Sequence, residues 1–188
     1  MPILIVAAAG RGQAIEIVGA VIFGASLVIL YGASTVYHSF AHSHARRILR
    51  LIDHSAIYVL IAGSYTPFAL GPLRGPLGYS LLAAVWAMAV AGVVLKSLRG
   101  FGKGWLSTAL YIGMGWISVL AIRPLITHVG AAGVWWLLAG GLCYTGGVVF
   151  YATDKRLRYG HAVWHLFVLA GSTCHFFAVL WHSAGLRS

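Results

Sequence analysis

Residues 154–181 read DKRLRYGHAVWHLFVLAGSTCHFFAVLW. Three basic residues, Lys155, Arg156 and Arg158, lead straight into an apolar stretch. That stretch is long enough to cross a bilayer, which takes about 20 mainly apolar residues. His161 and His165 stand four positions apart at its threshold. Lipid penalises polar side chains, so paired imidazoles at the edge of a span call for a function.

The rest of the chain has the same character. Of 188 residues, 60% are hydrophobic and 9% charged, against about 25% charged in soluble domains. Mean hydropathy is +0.88. The apolar runs are continuous, whereas barrel strands alternate polar and apolar residues over about 10 positions. The composition therefore predicts an all-α, polytopic transmembrane helix bundle, a single transmembrane domain over residues 1–188. The net charge of +10 rests on only three acids, Glu16, Asp53 and Asp154. The basic residues cluster in short loops, which points to anionic lipid headgroups and not to nucleic acid. Cys143 and Cys174 both fall inside apolar runs. They suit small buried side chains and form no metal-type pair and no disulfide framework.

Complete spans are expected at Ala14–Tyr37, Asp53–Leu70, Leu77–Leu95, Leu106–Ile122, Val134–Ala152 and Ala162–Trp181. Breakers or charges separate them: SFAHSHARRILR, GPLRGP, KSLRGFGKG, RPLITHVGAAG and TDKRLRYG. Before them stands PILIVAAAG, too short to span and without the basic start of a signal peptide. Residues 1–9 are expected to be the tail of a first helix. Pro67 is placed to kink the outer part of its span. The chain shows no convincing internal repeat.

Loop charge predicts orientation. Arg46, Arg47, Arg50, Lys96, Arg99, Lys103, Lys155, Arg156 and Arg158 fall on one side, and Arg11, Arg74, Arg123 and Arg187 on the other. The more basic side is expected to be cytoplasmic, which puts the carboxyl terminus outside. Trp135, Trp136 and Trp181 then fall at outer ends and Trp105 at an inner end, as an aromatic belt requires.

With that orientation the unusual polar residues reach one depth. Ser34 and His38 close the first complete span, Asp53 opens the second, and His161 and His165 open the last. Ser34 and His38 share a helix face, as do His161 and His165. Two histidines one turn apart can reach one small cation, and His38 can supply a third nitrogen. Three protein ligands leave a fourth tetrahedral position for water, the catalytic arrangement for zinc. Zinc lowers the pKa of such a water to about 7. Asp53 is placed to take a proton from it or orient it, and Ser34 to hydrogen-bond the water or a developing oxyanion.

Plainer readings stand beside these. The histidines can snorkel to headgroups. Asp53 can cap its helix, and Ser34 can bond back to its own backbone. His54, next to Asp53, is expected to face elsewhere in a structural role. His42 and His44 suit a solvated loop, and His128 and His182 the interface. His175 lies 14 residues beyond His161, about 21 Å along a helix. It cannot share the ion, and an interhelical hydrogen bond is its expected role.

The segments YGASTVYHSF, LIDHSAIYVLIAGSYTPFAL and YGHAVWHLFVLAGSTCHFFAVL resemble three signature segments of the bacterial hemolysin III family, part of the progestin and adiponectin receptor superfamily. The similarity extends through LRGPLG and STALYIGMGW. The resemblance implies a seven-helix receptor-like fold, here with the first helix truncated: six complete spans and a stub. It also implies a bacterial inner-membrane protein holding Zn2+ near the cytoplasmic face through His38, His161 and His165. Asp53 matches the acid that meets the zinc-bound water, and Ser34 the serine one turn before the first ligand. Related receptors resemble ceramide-cleaving enzymes.

Three functions follow as expectations. The first is a zinc-dependent intramembrane hydrolase acting on a lipid amide or ester, with Asp53 as base and Ser34 assisting. The second is a membrane receptor, sensor or homeostasis protein with structural zinc. The third, a pore-forming cytolysin, is the least favoured, since no secretion signal or amphipathic pore hairpin is legible. A membrane lipid is the expected substrate or ligand.

Overall fold

The computed structural model describes residues 2–10, 14–40, 44–99, 104–154 and 156–183. Among the described residues every regular element is helical. The elements are α1 (Pro2–Ala9), α2 (Ala14–Ser39), α3 (Arg46–Leu70), α4 (Pro76–Arg99), α5 (Gly104–Trp116), α6 (Ile122–Ala152) and α7 (Gly160–Ala178). A 3-10 segment, Ile117–Ala121, joins α5 to α6, and a π-helical turn, Val179–Ser183, extends α7. An apolar chain in lipid has no water to satisfy its amides, and helices satisfy them internally. The loop residues Arg11, His42, Lys103, Lys155 and Arg187 lie outside the described residues.

Among the described residues four stretches are long and apolar enough to cross a membrane: Ala14–Ser39, Pro76–Leu98, Trp105–Ala152 and Gly160–Ser183. Six were expected, and two features account for the difference. First, α3 starts at Arg46, not at Asp53. Arg and Leu favour helix, so the RRILR segment continues the helix instead of forming a loop. Within α3 itself Asp53, His54 and Pro67 lower the hydropathy below that of the other long helices. Second, RPLITHVGAAG is not a loop. Helix runs through it, broken only at Gly130, whose φ of 78° and ψ of 163° suit glycine. Pro124 falls in the first turn of α6, where a missing N–H costs no intrahelical bond.

The chain folds back at Gly130. The Trp116 indole N–H donates to the Thr145 hydroxyl at 3.0 Å, and these residues lie at nearly equal distances on either side of the break. Residues 105–152 therefore form a helical hairpin.

Packing pairs α1 with α2, α2 with α3, α3 with α4 and α6 with α7. Small residues permit the close approaches. Gly133, Gly140 and Gly147 form a stripe on α6 facing α7. A Cβ at Gly140 would strike the His175 imidazole, and one at Gly147 would come within 2.8 Å of Phe167. At Gly133 a Cβ would strike Val129 and come within 2.7 Å of His182. The seven-residue spacing keeps one stripe on its partner, as in coiled coils. Pro67 remains inside α3, its Cα against Gly19 of α2. Its carbonyl accepts from the Ser183 hydroxyl at 2.8 Å, tying the end of α7 to α3.

Alternate helix ends gather on one side. His38 meets His161, His54 meets Tyr151, and Lys96 meets Ser107. That side carries Arg46, Arg47, Arg50, Lys96, Arg156 and Arg158 and is called the basic end below.

Candidate metal centre and its cavity

His38 lies in the last turn of α2, and His161 and His165 open α7. His161 Nε2 is 3.3 Å from His38 Nε2 and 3.1 Å from His165 Nε2. Ring centroids are 4.7–5.3 Å apart. Three nitrogens bound tetrahedrally to zinc at about 2.0–2.1 Å would stand about 3.3 Å from one another. The observed separations fit, and the three imidazoles can hold a metal ion. His38 is exposed and the other two are half-buried, so an approach to the triad remains open.

A cavity of about 250 Å³ begins beside the triad. Ser34, Asp53, His161 and His165 line its polar end. Its walls are otherwise mainly apolar, reaching Phe68 and Leu73 at the far end. From Asp53 to Phe68 is about 22 Å along α3.

Asp53 lies two turns inside α3, and the N-cap position is Ala45, so Asp53 is not a helix cap. It stands within electrostatic reach of His161 and His165. Ser34 faces the cavity. The hydroxyl that bonds back to the helix there is that of its neighbour, Thr35, to the Tyr31 carbonyl at 2.7 Å.

His54 does not face away from Asp53 as expected. Its Nδ1 is 3.2 Å from Asp53 Oδ2, and its Nε2 is 3.3 Å from the Tyr151 hydroxyl. The Tyr111 hydroxyl donates to the His54 carbonyl at 2.8 Å. His54, Tyr111 and Tyr151 all line the cavity. Adjacent residues diverge by about 100° on a helix. Here the long imidazole and the short carboxylate bend toward each other, which spacing alone does not foretell.

Asp154 is a further residue of the site that helix spacing does not single out. Its carboxylate is 3.7 Å from His161 Nδ1, the nitrogen that faces away from the triad. A carboxylate at that position orients a ligating imidazole and raises its basicity. The signal in the sequence is that one of only three acids lies seven residues before the first histidine of the pair.

Deeper in the bundle, the Tyr31 hydroxyl donates to Ser172 Oγ at 3.0 Å, and Tyr144 bonds the same oxygen at 2.8 Å. His175 bonds the Leu137 carbonyl at 3.2 Å through Nε2, the interhelical link expected of it. Cys143 and Cys174 are half-buried free thiols, not fully buried side chains.

Comparison with known proteins follows the same segments. The sequence profile "Haemolysin-III related" matches residues 1–176. The chain is 48% identical over 181 residues to the "Hemolysin-3 homolog" of Bacillus subtilis (strain 168), covering 95% of this chain and 84% of that protein. It is 46% identical over 182 residues to "Hemolysin-3" of Bacillus cereus, covering 96% and 82%. The human "Monocyte to macrophage differentiation factor" is 32% identical over 169 residues, covering 87% of this chain and 70% of that protein. The histidine triad thus sits in a helical membrane protein, and the chain belongs to the hemolysin III family.

Proposed function

We propose that this protein is a zinc-dependent hydrolase of a membrane lipid amide or ester. One observation carries the reading: three imidazole nitrogens converge at the mouth of a long apolar cavity whose polar end also holds a carboxylate. His38, His161 and His165 are the ligands, and their donor type and spacing suit zinc. Bound zinc polarises a carbonyl oxygen and makes water acidic enough to serve as nucleophile at neutral pH.

The remaining work falls to the chain. The apolar wall takes up a lipid chain and keeps bulk water out. The Asp53 carboxylate takes the proton from the attacking water and returns it to the leaving group. The His54 imidazole lies against that carboxylate on one side, its Nδ1 3.2 Å from Oδ2. Ser34 donates toward the oxygen on which negative charge develops. Asp154 steadies His161.

A second reading rests on a different observation. Helices α2 and α7 are not among the closely packed pairs, yet His38 joins His161 across them. A structural ion would tie these two helices in a receptor or sensor without turnover.

In both readings helices α2 to α7 cross a bacterial inner membrane. The two arms of the Gly130 hairpin count as separate crossings. The basic end lies in the cytoplasm beside anionic headgroups, and the carboxyl terminus outside.

Asp53→Asn separates the readings. Purified variant and wild type are assayed for zinc content and for hydrolysis of a ceramide-like amide and a glycerolipid ester. The hydrolase reading expects zinc retained and turnover lowered about 10²–10⁴-fold. Wild-type turnover in the variant, or none in the wild type, leaves the structural reading.

A further inference from the structure

Tyr31 of α2 and Tyr144 of α6 line the cavity, deeper in the bundle than the histidine triad. Both hydroxyls meet Ser172 of α7, whose Oγ is 3.0 Å from Tyr31 and 2.8 Å from Tyr144. Tyr31 stands seven residues before His38, and Ser172 seven after His165. Seven residues are two helical turns, about 10.5 Å, and return to nearly the same helix face. The three hydroxyls therefore form a polar station two turns below the triad, beside a cavity whose walls are otherwise mainly apolar. Helix α7 is shaped to seat it: a Cβ at Gly171 would come within 2.9 Å of the Tyr144 ring.

The protons of this station do not all find acceptors in the chain. Three hydroxyls carry three protons. Among the described residues they make two hydrogen bonds, both at Ser172. The neighbouring Thr173 hydroxyl returns to its own helix, at the Leu169 carbonyl, and that of Ser172 does not. Tyr31 donates to Ser172. Were Tyr144 to donate there too, the Ser172 proton would be left over on a residue only 4% exposed and outside the cavity wall. A buried donor without an acceptor is costly. The favoured order runs from Tyr31 to Ser172 to Tyr144 and leaves the Tyr144 proton free at the cavity. An interhelical tie explains the two bonds. It does not explain a third donor in the wall of an apolar cavity.

We propose that the Tyr144 hydroxyl, set by Tyr31 and Ser172, binds an oxygen function carried partway along the ligand's chain. The cavity then selects an oxygenated long-chain lipid, with a mid-chain hydroxyl or ketone as the acceptor. The proposal rests on the reading that a lipid chain enters the cavity with its head at the triad, and not on turnover. About 10.5 Å of extended alkyl chain is roughly eight or nine bonds of ~1.5 Å at tetrahedral angles, which puts the oxygen near the tenth carbon.

The test is native mass spectrometry of the detergent-purified, zinc-loaded chain, which reads binding without turnover. The probes are stearate, 10-hydroxystearate, 10-oxostearate and 18-hydroxystearate. One hydrogen bond made in an apolar site is expected to tighten the two 10-substituted acids roughly tenfold over stearate. The 18-hydroxy acid, whose oxygen reaches the apolar far end, gains nothing. Tyr144→Phe keeps the ring in its slot and is expected to abolish the preference with stearate binding unchanged. Ser172→Ala, which spares the Tyr144 hydroxyl, retains it. A gain for only one of the two 10-substituted acids keeps the site and names its ligand. Equal binding of all four probes by the wild type reduces the station to an interhelical tie and overturns the proposal, while the hydrolase reading stands. A preference that survives in Tyr144→Phe overturns it, as does failure of every probe to bind. The comparison of the 10- and 18-hydroxy acids needs no variant, so it decides the matter if Tyr144→Phe does not fold.

Discussion

His161 Nε2 lies 3.3 Å from His38 Nε2, although 123 residues separate them in the chain. Helices α2 and α7, linked deeper in the bundle by Tyr31 and Ser172, bring their basic ends together at this point. The contact joins the first long helix to the last and places the three imidazoles at the cavity mouth.

Metal content should follow this geometry. Wild-type protein is expected to retain about one zinc per chain, and His165→Ala to lose it, because two imidazoles rarely suffice for a tight site. Asp154→Asn removes the carboxylate behind His161 and should weaken zinc about 10–100-fold without emptying the site at saturating metal. Metal titration with a competing chelator measures both. Wild type lacking metal after metal-replete purification would contradict the centre itself.

The glycine stripe of α6 should be intolerant of side chains. Gly140→Val forces a branched side chain into the His175 imidazole and should destabilise by about 1–3 kcal/mol. Gly113→Ala on α5 meets nothing within 4 Å and should be neutral or stabilising by up to about 1 kcal/mol. Thermal unfolding in one detergent compares the two. Similar destabilisation of both would mean the close approach of α6 and α7 is not what matters.

The hairpin at Gly130 predicts a coupling between distant residues. Trp116→Phe and Thr145→Val each remove one side of a hydrogen bond between the arms. A double-mutant cycle should show an interaction energy of about 0.6 kcal/mol, typical of such bonds in membranes. Strict additivity would indicate arms that do not meet there.

Topology can be read from fusions. Alkaline phosphatase joined after Ser188 should be active in living bacteria, and a fluorescent protein at that position dark, if the carboxyl terminus is outside. Replacing Arg156 and Arg158 by Gln should weaken that preference, since basic residues near a span end hold it on the cytoplasmic side. A fluorescent carboxyl-terminal fusion would reverse the assigned orientation.

Much of this protein was legible without coordinates. Continuous apolar runs dictated helices, because lipid leaves the backbone no other way to satisfy its amides. The four-residue spacing of His161 and His165 put both on one helix face, whatever the rest of the chain did. Helix boundaries were less accessible. RRILR reads as a polar loop by charge but as helix by propensity, and helix prevailed. RPLITHVGAAG reads as a separating loop, yet helix runs through it and the break falls at Gly130, where the backbone takes a positive φ.

Only the tertiary structure decided the partners. Helix polarity could bring His38 and His161 to one depth, but depth leaves rotation and lateral position free, so their 3.3 Å separation had to come from packing. The same holds for His54 against Asp53, for Asp154 against His161, and for Lys96 buried beside Ser107. Periodicity along a chain fixes which side chains share a face of one helix. Which faces meet depends on where small residues such as Gly133, Gly140 and Gly147 let neighbouring helices close in, and that is a property of the assembled bundle.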